Sequence, residues 1–191
     1  MRLLESRRIL RSAAAVLSAA SALVLGASAL PAQAERPPAP ATQGCATQQY
    51  VERTIHYYGD RDFDPRDVPV GLMIAYFDDI YTADGATLVG HGAGINHMVS
   101  RTAEGHVMQY VTEQFQLPDG NLVAEGVMDR YRVANLQWVS IPIHGTSGKY
   151  RGLAGVWTWR VTTIGDPQIP VDSRITLCGP GAGALAQEAS S

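Results

Sequence analysis

The 191-residue chain has only two cysteines and three phenylalanines, and it lacks the short signatures from which enzyme chemistry is usually read. There is no G-x-S-x-G elbow, no phosphate loop and no dinucleotide fingerprint, since His91-Gly92-Ala93-Gly94 sits between strand-like runs and opens no helix. Those absences argue against hydrolase and nucleotide chemistry. The five histidines, His56, His91, His97, His106 and His144, show no HExxH or comparable ligand spacing, so neither a metal nor another cofactor is expected. The formal net charge is −3 and no block of Lys or Arg lies beyond the N-terminal leader, which excludes nucleic acid as a partner. Sustained 3.6-residue periodicity is also missing between Val68 and Cys178, and Gly or Pro interrupts each candidate helix.

What the N-terminus does have is a leader. Arg2, Arg7, Arg8 and Arg11 precede the uncharged stretch 12–30, and Pro31-Ala32-Gln33-Ala34 supplies small residues where signal peptidase cuts. Residues 1–34 therefore read as a signal peptide cleaved before Glu35, with retention as a membrane anchor the alternative. Ser6-Arg7-Arg8-Ile9-Leu10 looks like a twin-arginine signal, and the ordinary Sec route stays open. The expected location is secreted or extracytoplasmic, with no stable membrane insertion after cleavage. Residues 35–44 form a Pro-rich linker, 45–178 the folded domain, and 179–191 a flexible tail of Gly, Ala and Ser. Cys45 and Cys178 flank the folded unit, and in an oxidising compartment they are expected to form a disulfide worth on the order of 5 kcal/mol in the chain-entropy treatment. Two reduced, buried thiols are the alternative.

The domain itself breaks into short runs rich in Val, Ile, Tyr, Trp and Thr near 50–57 and at 71–81, 87–89, 94–101, 106–117, 122–131, 137–143, 152–164 and 172–178. Turn signals recur at Asp84-Gly85, Glu104-Gly105, Asp119-Gly120 and Ser147-Gly148. The fold class is all-β: an antiparallel up-and-down barrel of about eight strands with an apolar central pocket, a sandwich being the other arrangement that fits. Alternation places Gly155, Trp157, Trp159 and Val161 on one face of the clearest strand, as pocket wall or as plain core. Asp78 and Asp79 fall on opposite faces, so one carboxylate at most points inward. His97 and His106 face each other across the Glu104-Gly105 hairpin in this reading.

Several ordered elements carry a resemblance. Phe77-Asp78-Asp79, Leu117-Pro118-Asp119-Gly120, Ala124-Glu125-Gly126, Trp138, the run from Gly145 through Tyr150 to Gly155, and Trp159-Arg160 resemble the allene oxide cyclase barrel-like proteins. Within that superfamily the pattern is most similar to the bacterial spirotetronate cyclases, which close a tetronate-bearing polyketide by an intramolecular Diels–Alder reaction. The resemblance implies that Phe77 and Trp159 line the pocket, with Trp159 stacking on the flat, polar end of the substrate. A substrate-bonding tyrosine of the cyclases falls on Val111, with Tyr110 adjacent; another pocket aromatic falls on Ile141, and a phenylalanine on Arg130.

A cycloaddition has a neutral, compact transition state, so the protein mainly has to fold a flexible chain until diene and dienophile meet. Phe77, Val111, Met128, Ile141, Trp157 and Val161 are expected to supply shape. Tyr110, Arg130 and the indole N–H of Trp159 are the candidate donors to the activated carbonyl, with Trp159 and Tyr110 taken as catalytic and Arg130 suited to an anionic head group. The expected function is a cofactor-independent cyclase acting on a hydrophobic polyketide of tetronate or polyether type. A dirigent-like or lipocalin-like carrier that binds without catalysis is the alternative. Monomer and homodimer both remain open.

Overall fold

A computed structural model describes residues 44–64 and 67–188. The leader 1–34 and residues 35–43 of the expected linker lie outside the described residues. Eight antiparallel strands, β1 (Gly44–Gly59), β2 (Met73–Thr82), β3 (Leu88–Arg101), β4 (Val107–Leu117), β5 (Gly120–Asp129), β6 (Val139–Gly145), β7 (Ala154–Val161) and β8 (Val171–Gly179), close into a barrel in sequence order. The last strand pairs with the first from Gly44↔Gly179 to Glu52↔Val171. Closure removes the edge strands that a sandwich of the same sequence would leave exposed.

Two of the expected runs, 87–89 and 94–101, are one strand, because Gly90, Gly92 and Gly94 continue β3 instead of ending it. The run 122–131 ends at Asp129, whose carboxylate accepts the backbone N–H of Tyr131 at 2.8 Å and starts the short helix α1 (Arg130–Ala134). Arg130 is therefore delivered by a helix at the barrel's end. Strands β5 and β6 share only the pairs Leu122↔Gly145, Val123↔His144 and Ala124↔Ile143. Beyond that seam Pro142, which has no N–H to give, continues β6 with no ladder partner on β5, and α1 follows β5 in the chain.

The two ends of the barrel differ. At the end holding the β4–β5 turn and both barrel termini, Phe115, Leu117, Leu122, Ile143, Tyr150, Leu153 and Leu177 pack into one buried cluster. Cys45 and Cys178 form a disulfide there, between residues paired in the β1–β8 register. The run from Gly179, expected as a flexible tail, instead forms helix α2 (Ala182–Glu188), which buries Ala182 and Leu185 against that cluster. One leucine and one alanine at helical spacing suffice to dock it. The other end carries the longer connections 60–72 and 162–170 together with α1. No helix among the described residues is long and apolar enough to cross a membrane.

Candidate functional site

Side chains fill the barrel at its closed end only. Toward the end bearing α1 the interior opens into a cavity of about 370 Å³. Its walls include Ile74 and Tyr76 from β2, Asn96 from β3, Gln109 and Glu113 from β4, and Trp157, Trp159 and Val161 from β7. Arg130 and Val133 of α1 and Asp166 and Ile169 of the 162–170 connection form part of the same lining.

Alternation on β7 delivers its indoles as the sequence indicates. The Trp157 and Trp159 rings stack with centroids 5.4 Å apart, and Phe115 meets Trp157 edge-on at 5.0 Å. Trp157 Nε1 donates to Ser173 Oγ at 2.8 Å. Trp159 is only 8% exposed, yet its Nε1 has no partner. A buried indole N–H without an acceptor costs stability unless a ligand or a water supplies one.

Arg130 also reaches the cavity, where its Nη1 donates to Gln109 Oε1 at 2.9 Å and Gln109 Nε2 donates to Asn96 Oδ1 at 2.7 Å. Burial lowers the guanidinium's pKa.

The other expected wall residues are placed elsewhere. Phe77 is 44% exposed on the outer face, because its neighbours Tyr76 and Asp78 take the inward positions. Tyr110 likewise points outward, its hydroxyl 3.3 Å from Glu125 Oε2, while Gln109 and Val111 face in. Val111, Met128 and Ile141 do point inward, but they belong to the packed core and are not part of the cavity wall. His97 and His106 do not meet: His97 stands opposite Tyr110, and His106 Nδ1 bonds Asp129 Oδ2 at 2.9 Å.

Three carboxylates are the feature that motif reading missed. Glu52 on β1, Asp78 on β2 and Glu113 on β4 are 2%, 5% and 1% exposed, and all three line the cavity. One oxygen from each lies within 4.8 Å of the other two, and among the described residues this is the one group of side chains able to gather around a cation. Each acid has a protein donor: Tyr76 Oη donates to Glu113 Oε2 at 2.8 Å, Thr54 bonds Asp78, and Ser173 bonds Glu52. Glu52 Oε1, Asp78 Oδ1 and Glu113 Oε1 nevertheless have no partner.

Burial, reinforced by the Asp78 charge, pushes the Glu52 carboxyl up to about 8. Asp78 is raised to about 6, again by burial, with Thr54 pulling the other way. Glu113 is driven well above the ordinary range by burial and by its two acidic neighbours. Asp79, by contrast, faces out and pairs with His91 at 2.9 Å.

Two glycines of β3 make this arrangement possible. A Cβ on Gly92 would stand 2.5 Å from Glu113 Oε1. One on Gly94 would enter the Tyr76 ring and come within 2.8 Å of the Thr112 carbonyl. Alternation along β4 from Val107 through Gln109, Val111 and Glu113 to Phe115 was the signal that could have found the second acid, since it puts a glutamate among core residues.

The chain matches the allene oxide cyclase barrel like domain over residues 51–177. Among solved structures it is similar to AbnU, described as an exo-specific intermolecular Diels–Alderase, with 32% identity over 72% of this chain and 99% of that one at a TM-score of 0.65. The Diels–Alderase AbmU from Streptomyces koyangensis shares the fold at 22% identity and TM-score 0.60, over 70% of this chain and 63% of that one. So does the pterocarpan synthase dirigent protein PsPTS1, at 16% identity and TM-score 0.57, covering 70% and 94% of the two chains. No curated protein matches the chain. With the barrel, its cavity and a 127-residue span of matching sequence together, the chain belongs to the allene oxide cyclase barrel-like family.

Proposed function

We propose that the protein is a cyclase that folds a linear, hydrophobic polyketide of tetronate or polyether type in its barrel and closes it by intramolecular [4+2] cycloaddition. The observation that carries the [4+2] chemistry is the likeness to AbnU, an intermolecular Diels–Alderase matched over 99% of its length at 32% identity; the intramolecular course is part of the proposal. The cavity supports it chemically. Stacked Trp157 and Trp159 with Val161 and Ile74 offer a rigid apolar wall against which a flexible chain loses its unproductive conformers. The unpartnered Trp159 Nε1 is the donor placed to polarise a dienophile carbonyl, and Arg130 is the group to hold an enolate or tetronate oxygen. Tyr110 and Phe77, facing outward, have no direct part in this proposal. The Cys45–Cys178 bond supports an extracytoplasmic setting for the reaction.

Incubation with a synthetic linear chain bearing a conjugated diene and a tetronate-linked alkene tests the proposal. The expected product has unchanged mass, a new cyclohexene and one stereochemistry. Trp159→Phe, which keeps the wall but removes the N–H, should lower kcat about tenfold, the scale of one lost hydrogen bond to the transition state. Recovery of only unaltered, bound chain would overturn the cyclase reading in favour of a carrier.

A further inference from the structure

The acid cluster has no task in a cycloaddition, which needs neither a nucleophile nor a base. We propose that it is a receptor for a primary ammonium group, so that the molecule occupying the cavity is an amine with an apolar body. The inference rests on the cavity being the substrate site, as in the reading above, and it deepens that reading by naming a substrate class.

The stoichiometry carries it. A primary ammonium has three N–H donors, and Glu52 Oε1, Asp78 Oδ1 and Glu113 Oε1 are three buried acceptor oxygens without partners. Three acceptors arranged tetrahedrally around such a nitrogen stand about 4.7 Å apart, and one oxygen from each acid lies within 4.8 Å of the others.

An independent observation points to an organic ligand rather than a bare ion. The unpartnered Trp159 Nε1 lines the same cavity, and a donor there asks for an acceptor on the bound molecule, which a metal cannot give. The stacked indoles supply the aromatic surface that favours organic cations. Arg130 bonds Gln109, which stands four residues, about 13 Å of strand, before Glu113 on the same face of β4, so the basic group is held at Gln109 and Glu113 keeps its bond to Tyr76.

Only one of the three acids has to ionise, because a neutral carboxyl still offers its carbonyl oxygen as an acceptor. Asp78, raised to about 6, is the one to do so. The titratable and charged groups around it are Glu52 on β1, Tyr76 and outward-facing Asp79 on β2, Glu113 on β4, Arg130 on α1 and Asp166 on the 162–170 connection. Amine affinity should therefore rise as pH passes through about 6, with the ionisation of Glu52 near 8 adding to it.

The test compares three probes of one shape, 2-phenylethylamine, 2-phenylethanol and 3-phenylpropanoate, by calorimetry and tryptophan fluorescence on the disulfide-bonded protein. The amine is expected to bind at least about tenfold tighter than the alcohol at pH 7, as a charge-assisted hydrogen-bond set requires, with the carboxylate weakest. Asp78→Asn should bring the amine-to-alcohol ratio close to one. Equal binding of amine and alcohol, or tighter binding of the carboxylate, overturns the proposal. So does terbium luminescence sensitised by the tryptophans that the amine fails to displace, which would make the cluster a metal site. Amine preference without any cyclisation sinks the cyclase reading alone; cyclisation without amine preference sinks this one alone.

Discussion

The two ends of the barrel solve opposite problems with the same eight strands. At the closed end the inward residues are mostly apolar, and the Tyr150 hydroxyl donates to Gln48. The pieces reinforce one another: α2 covers the cluster, and the disulfide ties β1 to β8 beneath it. At the open end the same strands turn inward two glutamates, an aspartate and an unpartnered indole N–H, and α1 adds an arginine. Burying such groups costs free energy that packing elsewhere must offset. The contrast teaches that stability and binding are segregated along the barrel axis, and that the cavity persists because the closed end can hold the fold without it.

This segregation can be broken or sharpened by experiment. The largest effect is expected at the closed end, where Cys45→Ala or Cys178→Ala removes a cross-link between residues 133 apart; stability to denaturant should fall by on the order of 5 kcal/mol. A variant as stable as the parent would mean that strand closure alone holds the end.

Next comes Tyr150→Ala, which empties a fully buried position at the floor of the same cluster and should cost about 4 kcal/mol in chemical unfolding. Ligand binding at the open end should survive wherever the variant is folded.

The open end should respond to pH instead. The Glu52 carboxyl binds its proton more tightly folded than unfolded, rising from 4.5 to about 8. The folded state thus holds the extra proton between those values, and stability falls as pH rises through that window, by a few kcal/mol. Glu52→Gln should flatten the decline in melting curves taken from pH 4.5 to 8; an unchanged slope would show that this acid ionises freely in the barrel. The smallest effect is expected on the outer face, where Phe77→Ser should alter stability by less than about 0.5 kcal/mol and leave ligand binding unchanged.

Much of the shell was legible because period-two alternation and turn residues act locally. Trp157, Trp159 and Val161 fell on the inner face as expected, and β8 closed on β1 with Cys45 opposite Cys178. The site was less legible because resemblance and alternation made incompatible demands. Phe77 and Asp78 cannot both face inward; the split of Asp78 from Asp79 already held that choice open, and burial of Asp78 settles it. Tyr110 and Val111 pose the same alternative two strands over, on β4, and Val111 is the residue turned in. Glu52 and Glu113 went unread for another reason. Neither sits in a short motif, and what makes them a group is the pairing of β1 with β2 and of β2, β3 and β4 in turn. Such proximity is a product of closure, visible only once the register of several strands is known. Helix α2 was missed because composition averages over a segment, whereas docking needed only Ala182 and Leu185.

Gly92 and Gly94 give the acid cluster a hereditary signature. Since a methyl group at position 92 would collide with Glu113, and one at 94 with Tyr76, the hydrogen-bonded pair Tyr76–Glu113 and the two glycines form one inheritable unit. A side chain gained at position 92 has to push the Glu113 carboxylate aside, and one gained at 94 has to displace both the Tyr76 ring and the Thr112 backbone. Descendants of this barrel should therefore keep all four residues together or lose them together, and that correlation across sequences would record which of them still carry the charged floor.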